Sequence, residues 1–142
     1  MEIIVKELLN ASVSYVWDAI TQPNKMKQWY FADMPDFKPE LGFKTSFIMN
    51  SPSGNKFTAK WQVTEVVKEK IIKCNWSYEE YDGLGIVSFI LSPVGDKTLI
   101  TVTNEGLNTF PQEIPEFTNE SCIAGWEYFI NKRLPNYLNK NR

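Results

Sequence analysis

Two tryptophan-bearing helical segments stand at opposite ends of the chain, Asn10 to Pro23 around Trp17 and Gly125 to Ile130 around Trp126, with little but strand pattern between them. Each element has only one apolar face to bury, so a strand, two short helices, a run of antiparallel strands and one long closing helix must lay that helix across the sheet. A helix over a curved sheet encloses a hollow, and the hollow is the leading functional candidate.

The local pattern supports this order. Ile3 to Leu9 reads as a first strand. Ser12 is an N-cap for a helix whose Val13, Val16, Trp17 and Ile20 recur at i, i+3, i+4 and i+7. Pro23 suits the first turn of a second short helix carrying Met26 and Trp29, and the stretch from Tyr30 to Pro39 is expected to form a mobile rim. Strand-like runs follow at Phe43 to Met49, Phe57 to Val67, Ile71 to Tyr78, Gly85 to Leu91 and Leu99 to Thr103. Alternation puts Phe57, Ala59, Trp61 and Val63 on one face, with Ile72, Cys74 and Trp76, then Val87, Phe89 and Leu91, then Ile100, Val102 and Asn104. Lys60, Gln62, Thr64, Lys73, Asn75, Thr101 and Thr103 take the other face, so one side of the sheet is wet and the other covered.

The cover is the last segment, opened by Pro111 and Pro115, where Ile123, Trp126, Ile130, Leu134, Tyr137 and Leu138 repeat at helical spacing. Pro135 should kink that helix or start a separate final turn. Gly125 reads as a close helix–sheet contact.

Composition removes whole classes of chemistry. The chain has 142 residues, one domain by length, and no histidine, which excludes Ser-His-Asp, Cys-His and His-ligated metal mechanisms. Cys74 and Cys122 are read as reduced, small apolar residues, and no metal or other cofactor is expected. Fifteen basic and seventeen acidic residues are mixed along the chain, so neither a nucleic-acid stripe nor a membrane face is expected. Charges among the first seven residues, with no long apolar run, argue against a signal peptide, and a cytoplasmic protein is expected.

Several segments together carry a resemblance. Ala11-Ser12-Val13-x-x-Val16-Trp17-x-Ala19-Ile20-Thr21-x-Pro23, Lys27-Gln28-Trp29-Tyr30, Pro39-Glu40-Leu41-Gly42-Phe43 and Val63-x-Glu65-Val66-Val67 come first. Trp76, Leu91-Ser92-Pro93, Thr98 and Gly125-Trp126 complete the ordered set. The set resembles the family of homologues of the activator of heat shock protein 90 ATPase, within the START-like, polyketide-cyclase (SRPBCC) superfamily, and covers nearly the whole chain. The resemblance implies one α+β helix-grip domain over residues 1–142: a strongly curved antiparallel sheet of about six or seven strands wrapped around a long C-terminal helix, with two short helices after the first strand. It also implies a lone domain, without the further N-terminal domain of the eukaryotic activators. Where many members carry a small residue, usually glycine, this chain has Trp61. Pointing inward it would fill part of the hollow; turned outward by a bulge it would not.

Three classes of function remain. The first is non-catalytic binding of a small apolar or aromatic ligand in a cavity lined by Phe47, Phe57, Trp61, Trp76, Phe89, Asn104, Phe117, Trp126 and Phe129, with Ala59 and Val87 taken as facing the empty volume and entry near the 30–39 rim. Plain core packing is the simpler fate of Trp17, Trp29, Trp76 and Trp126. A chaperone-regulating interaction module is the alternative. Last comes a cyclase- or hydrolase-type enzyme using Glu105, Asp33 or Tyr78 for proton transfer, for which no paired acidic constellation stands out. Monomer or weak homodimer is the expected state.

Overall fold

The computed structural model describes residues 2–32, 34–50 and 54–140. The chain begins with β1 (Ile3–Leu9), α1 (Val13–Thr21) and α2 (Pro23–Trp29), and continues through β2 (Lys44–Asn50), β3 (Lys56–Val67), β4 (Ile71–Tyr78), β5 (Gly85–Val94) and β6 (Lys97–Glu105). Two short 3₁₀ turns, Leu107–Thr109 and Pro115–Phe117, lead into α3 (Asn119–Trp126), a π-helical segment (Glu127–Arg133) and α4 (Leu134–Lys140). These last three form one C-terminal helix of 22 residues.

The strands make one curved antiparallel sheet in the order β1-β6-β5-β4-β3-β2. Its inner face carries the apolar rows expected from alternation, from Phe57, Ala59, Trp61 and Val63 on β3 to Ile100, Val102 and Asn104 on β6, all buried. The register slips once, between Val63 and Glu65. The slip falls after Trp61, so Trp61 stays inward at 3% exposure.

The two short helices are fixed by their ends. Ser12 caps α1, its hydroxyl accepting from the Tyr15 amide at 3.3 Å. The Trp29 indole donates to the Ala19 carbonyl at 2.7 Å and ties α2 to α1. The Thr98 hydroxyl donates to the Ala11 carbonyl at 2.8 Å, joining the start of β6 to the entry of α1.

Thr118 caps α3, its hydroxyl accepting from the Ser121 amide at 3.3 Å. Trp126, Ile130, Leu134, Tyr137 and Leu138 are buried as their spacing requires, whereas Ile123 is 38% exposed. Ile123 lies about 60° round the helix from Trp126, and at that level the cavity side of the helix is taken by Cys122. The final α segment begins at Leu134, just before Pro135, and the helix widens ahead of it. The Leu134 amide donates to the Phe129 carbonyl, five residues back, in a turn looser than α. That loosening relieves the clash of the proline ring with the carbonyl four residues earlier. Asn131 Nδ2 donates to the Lys6 carbonyl at 2.9 Å, so the helix also covers edge strand β1.

Trp126 is the joint between layers. Its ring stacks on Tyr30 (centroids 5.9 Å, interplanar angle 13°) and meets the edges of Trp76 at 6.1 Å and Phe89 at 5.7 Å. Trp126→Ala should therefore cost about 3–5 kcal/mol in urea unfolding, as for a buried aromatic. A loss under about 0.5 kcal/mol would contradict the packing described.

Candidate functional site

A cavity of about 150 Å³ lies between the sheet and the C-terminal helix. Two glycines help to make it. Gly85, at the start of β5, supplies a floor without a side chain; an added Cβ there would meet the Glu105 carbonyl oxygen at 3.3 Å and the Phe110 ring at 3.4 Å. Gly125, in α3, supplies the roof, and an added Cβ there would meet nothing within 4 Å. Gly125 is thus not the close helix–sheet contact its sequence setting suggested. It leaves space open.

Trp76, Asn104, Phe117, Trp126 and Phe129 line this cavity as the sequence led us to expect. Phe47, Phe57, Trp61 and Phe89 are buried behind the walls instead. Trp61 turns inward and fills the region toward β2, its ring 5.4 Å from Phe47, 5.2 Å from Trp76 and 5.9 Å from Tyr30. Phe57 packs on Phe117 at 5.2 Å. Ala59 and Val87 are fully buried in the sheet and are not among the residues that line the open volume.

The expected rim is built differently. Tyr30 and Phe31 do reach the cavity, but Met34 (1% exposed) and Phe37 (4%) anchor the rest of that stretch in the core. The wall residues that retain exposure are Phe31, Met49, Tyr78, Glu116, Ser121, Cys122, Gly125 and Phe129, which puts the mouth between Phe31, the end of β2, the second 3₁₀ turn and the cavity side of the C-terminal helix. Across it, Asn55 Nδ2 donates to the Glu116 carboxylate at 3.3 and 3.4 Å.

The titratable groups of the interior are held in their protonated forms. Burial pushes the Tyr30 and Tyr78 phenols well above their ordinary value, the Cys74 thiol to about 12 and the Cys122 thiol to about 11. At neutral pH these are neutral hydroxyls and thiols, which suit hydrogen-bond donation better than proton abstraction. Of the residues considered for acid–base work, Tyr78 lines the cavity, Glu105 is exposed at the end of β6, and Asp33 lies outside the described residues. Among the described residues, no three His, Cys, Asp or Glu side chains gather as a metal site would require.

Three buried polar atoms lack a hydrogen-bond partner among the described residues: Trp61 Nε1, Trp76 Nε1 and Asn104 Oδ1. The Tyr78 phenol lies near enough to sense the Trp76 indole, yet no hydrogen bond of good geometry joins them. Sequence alternation placed Trp76 and Asn104 on the inner face, but Gly85, Tyr30, Tyr78 and Phe110 were not picked out as lining residues. A glycine opening a strand directly opposite an inward tryptophan was the available signal, since Gly85 pairs with Trp76 in the β4–β5 register.

Comparison with known proteins follows the same outline. The family described as Activator of Hsp90 ATPase homolog 1-like protein matches residues 10–139. Among solved structures, protein MLL2253 from Mesorhizobium loti is 22% identical, with a TM-score of 0.75 over 100% of this chain and 99% of that one. Protein CV1439 from Chromobacterium violaceum is 20% identical, with a TM-score of 0.77 over 95% and 94%. DynU16, a protein of the dynemicin biosynthetic locus, is 22% identical, with a TM-score of 0.75 over 99% of this chain and 48% of that one. Among curated proteins none matches. At these identities the structures speak for a shared fold alone. No helix among the described residues is long and apolar enough to cross a membrane.

Two measurements check the protonation described. At pH 8 Cys122 and Cys74 should react with a thiol reagent in native buffer about a hundredfold more slowly than a free cysteine, or slower still, because so little thiolate is present; rapid labelling of Cys122 would contradict the protonated state described. The raised groups also set a sign for alkaline stability. The unfolded chain releases the Cys74 proton near its ordinary value of 9.0 while the folded chain keeps it to about 12, so stability should be intact below pH 9 and fall as pH rises through that window. Urea midpoints at pH 8 and pH 11 measure the fall.

Proposed function

The chain belongs to the Activator of Hsp90 ATPase homolog 1-like family, and from that premise we propose that it binds a small apolar or aromatic molecule, without transforming it, in the hollow between the curved sheet and the C-terminal helix. The observation that carries the reading is the cavity of about 150 Å³, whose described lining residues include eight aromatic side chains and no lysine or arginine. A volume of that order accommodates one benzene-sized ring. A ring that buries about 200 Å² gains roughly 5 kcal/mol at ~25 cal/mol/Å², a dissociation constant on the order of 0.1–1 mM. One chain supplies the whole wall, so binding requires no second copy. The two free cysteines suit a reducing compartment, and we place the protein in the cytoplasm on that ground.

A second reading, an interaction module acting on the Hsp90 ATPase, is favoured by the description of the matching family. Such a partner would be held by an outer surface, so changes inside the cavity would leave its binding unaltered. Proton abstraction by Tyr78 is disfavoured, since burial holds its phenol protonated, and Glu105 lies outside the wall.

Gly125→Leu separates binding from folding. The new side chain enters open space and replaces a helical glycine, so it should keep the melting temperature or raise it. It should also abolish the thermal shift that millimolar toluene produces in the wild type. Wild-type protein that gains no stability from toluene, or a Gly125→Leu variant that gains as much, would remove the cavity as a binding site.

A further inference from the structure

The wall holds more unmatched polarity than a purely apolar ligand would leave in place. Asn104 (5% exposed) and Trp76 (8%) both line the cavity, and Asn104 Oδ1 and Trp76 Nε1 are without partners among the described residues. An unmatched buried group keeps its full desolvation penalty, and folded proteins retain few of them. Both residues border the same glycine, Gly85. Trp76 is the register partner of Gly85, and Asn104 Oδ1 comes within 3.7 Å of the point where a Gly85 Cβ would stand. The third orphan, Trp61 Nε1, lies outside this wall and is not explained by it.

Building on the aromatic-ligand reading above, we infer that the ligand is a neutral single-ring phenol, with its hydroxyl over Gly85 between Trp76 and Asn104 and its ring against Trp126. The indole N–H can only donate, whereas the amide turns about its last bond and offers an acceptor or a donor at the same place. A hydroxyl is the smallest group that accepts from the first and donates to the second. A carboxylate could accept from Trp76 and from the turned amide, but it would bury its charge with no lysine or arginine among the described wall residues. An ammonium group would set its charge against the indole N–H, and the only carboxylate among the described wall residues, Glu116, sits at the mouth near Asn55. A plain hydrocarbon ring leaves both orphans as they are.

The test is a matched series measured by calorimetric titration: toluene, p-cresol, benzoate and phenyltrimethylammonium. Wild-type protein should bind p-cresol about tenfold more tightly than toluene, the worth of a satisfied buried hydrogen bond, and should bind neither ion detectably. In Asn104→Leu and Trp76→Phe the advantage of p-cresol should shrink to about twofold while toluene still binds. If toluene and p-cresol bind the wild type equally, or p-cresol keeps its advantage in Asn104→Leu, the phenol assignment is overturned and the cavity reading stands. Tighter binding of either ion overturns the assignment in the same way. Failure of both toluene and p-cresol overturns it together with the cavity reading. Should either variant not fold, the wild-type ratio decides alone.

Discussion

The architecture depends on a single aromatic stack, Tyr30 on Trp126, with Trp76 and Phe89 meeting the tryptophan edge-on from the sheet. Three layers of chain history converge there: the end of α2, the middle of the C-terminal helix and two central strands. Offset and edge-to-face contacts of this kind add about 0.5–1.5 kcal/mol per pair beyond the area they bury, and they fix angles as well as distances. The same contacts decide where matter is missing. Rigid rings cannot flow into a gap as methionine or leucine would, so a helix held at this distance by tryptophan leaves room wherever its own residue is glycine. Structure and cavity therefore have one cause.

Most of the framework was legible because it rests on short-range rules. Period-two alternation identified the inner face of every central strand, and the Ser12 and Pro23 signals placed the first two helices. Of the five wall residues that were anticipated, Trp76, Asn104 and Trp126 follow from the same periodicities, while Phe117 and Phe129 were named beside them in the closing segment without a periodic signal. What alternation cannot say is which inward side chains touch empty space and which touch one another. Trp61 shows the limit. Its inward direction was one of two readings, and its real role, filling the β2 side of the interior, depends on Phe47 and Tyr30 arriving from elsewhere in the chain.

The glycines were misread or passed over for a related reason. A glycine permits close approach and equally permits a void, and only the distance between two elements decides between them. At Gly85 a Cβ would press on a neighbouring carbonyl, while at Gly125 it would touch nothing, although both border the same hollow. The rim at residues 30–39 was judged by its prolines. Met34 and Phe37, the apolar residues that pin it, carry no periodic signal in so short an irregular stretch.

The π-helical segment before Pro135 has a consequence for helix phase. Trp126 and Leu134 are eight residues apart, which in a regular α-helix leaves them about 80° out of line, whereas seven would leave them about 20° apart. Both are nonetheless buried toward the core. Counted this way, the stretch holds one residue more than an α-helix of the same span, and that surplus is absorbed in the turn that carries Phe129 into the cavity wall. A chain one residue shorter here would keep its helix in register against the sheet and lose the bulge, but it would bring Pro135 into an unrelieved α turn. Surplus residue and proline are thus a coupled pair, and a shortening that reshapes the roof of the hollow without disturbing the fold has to remove both.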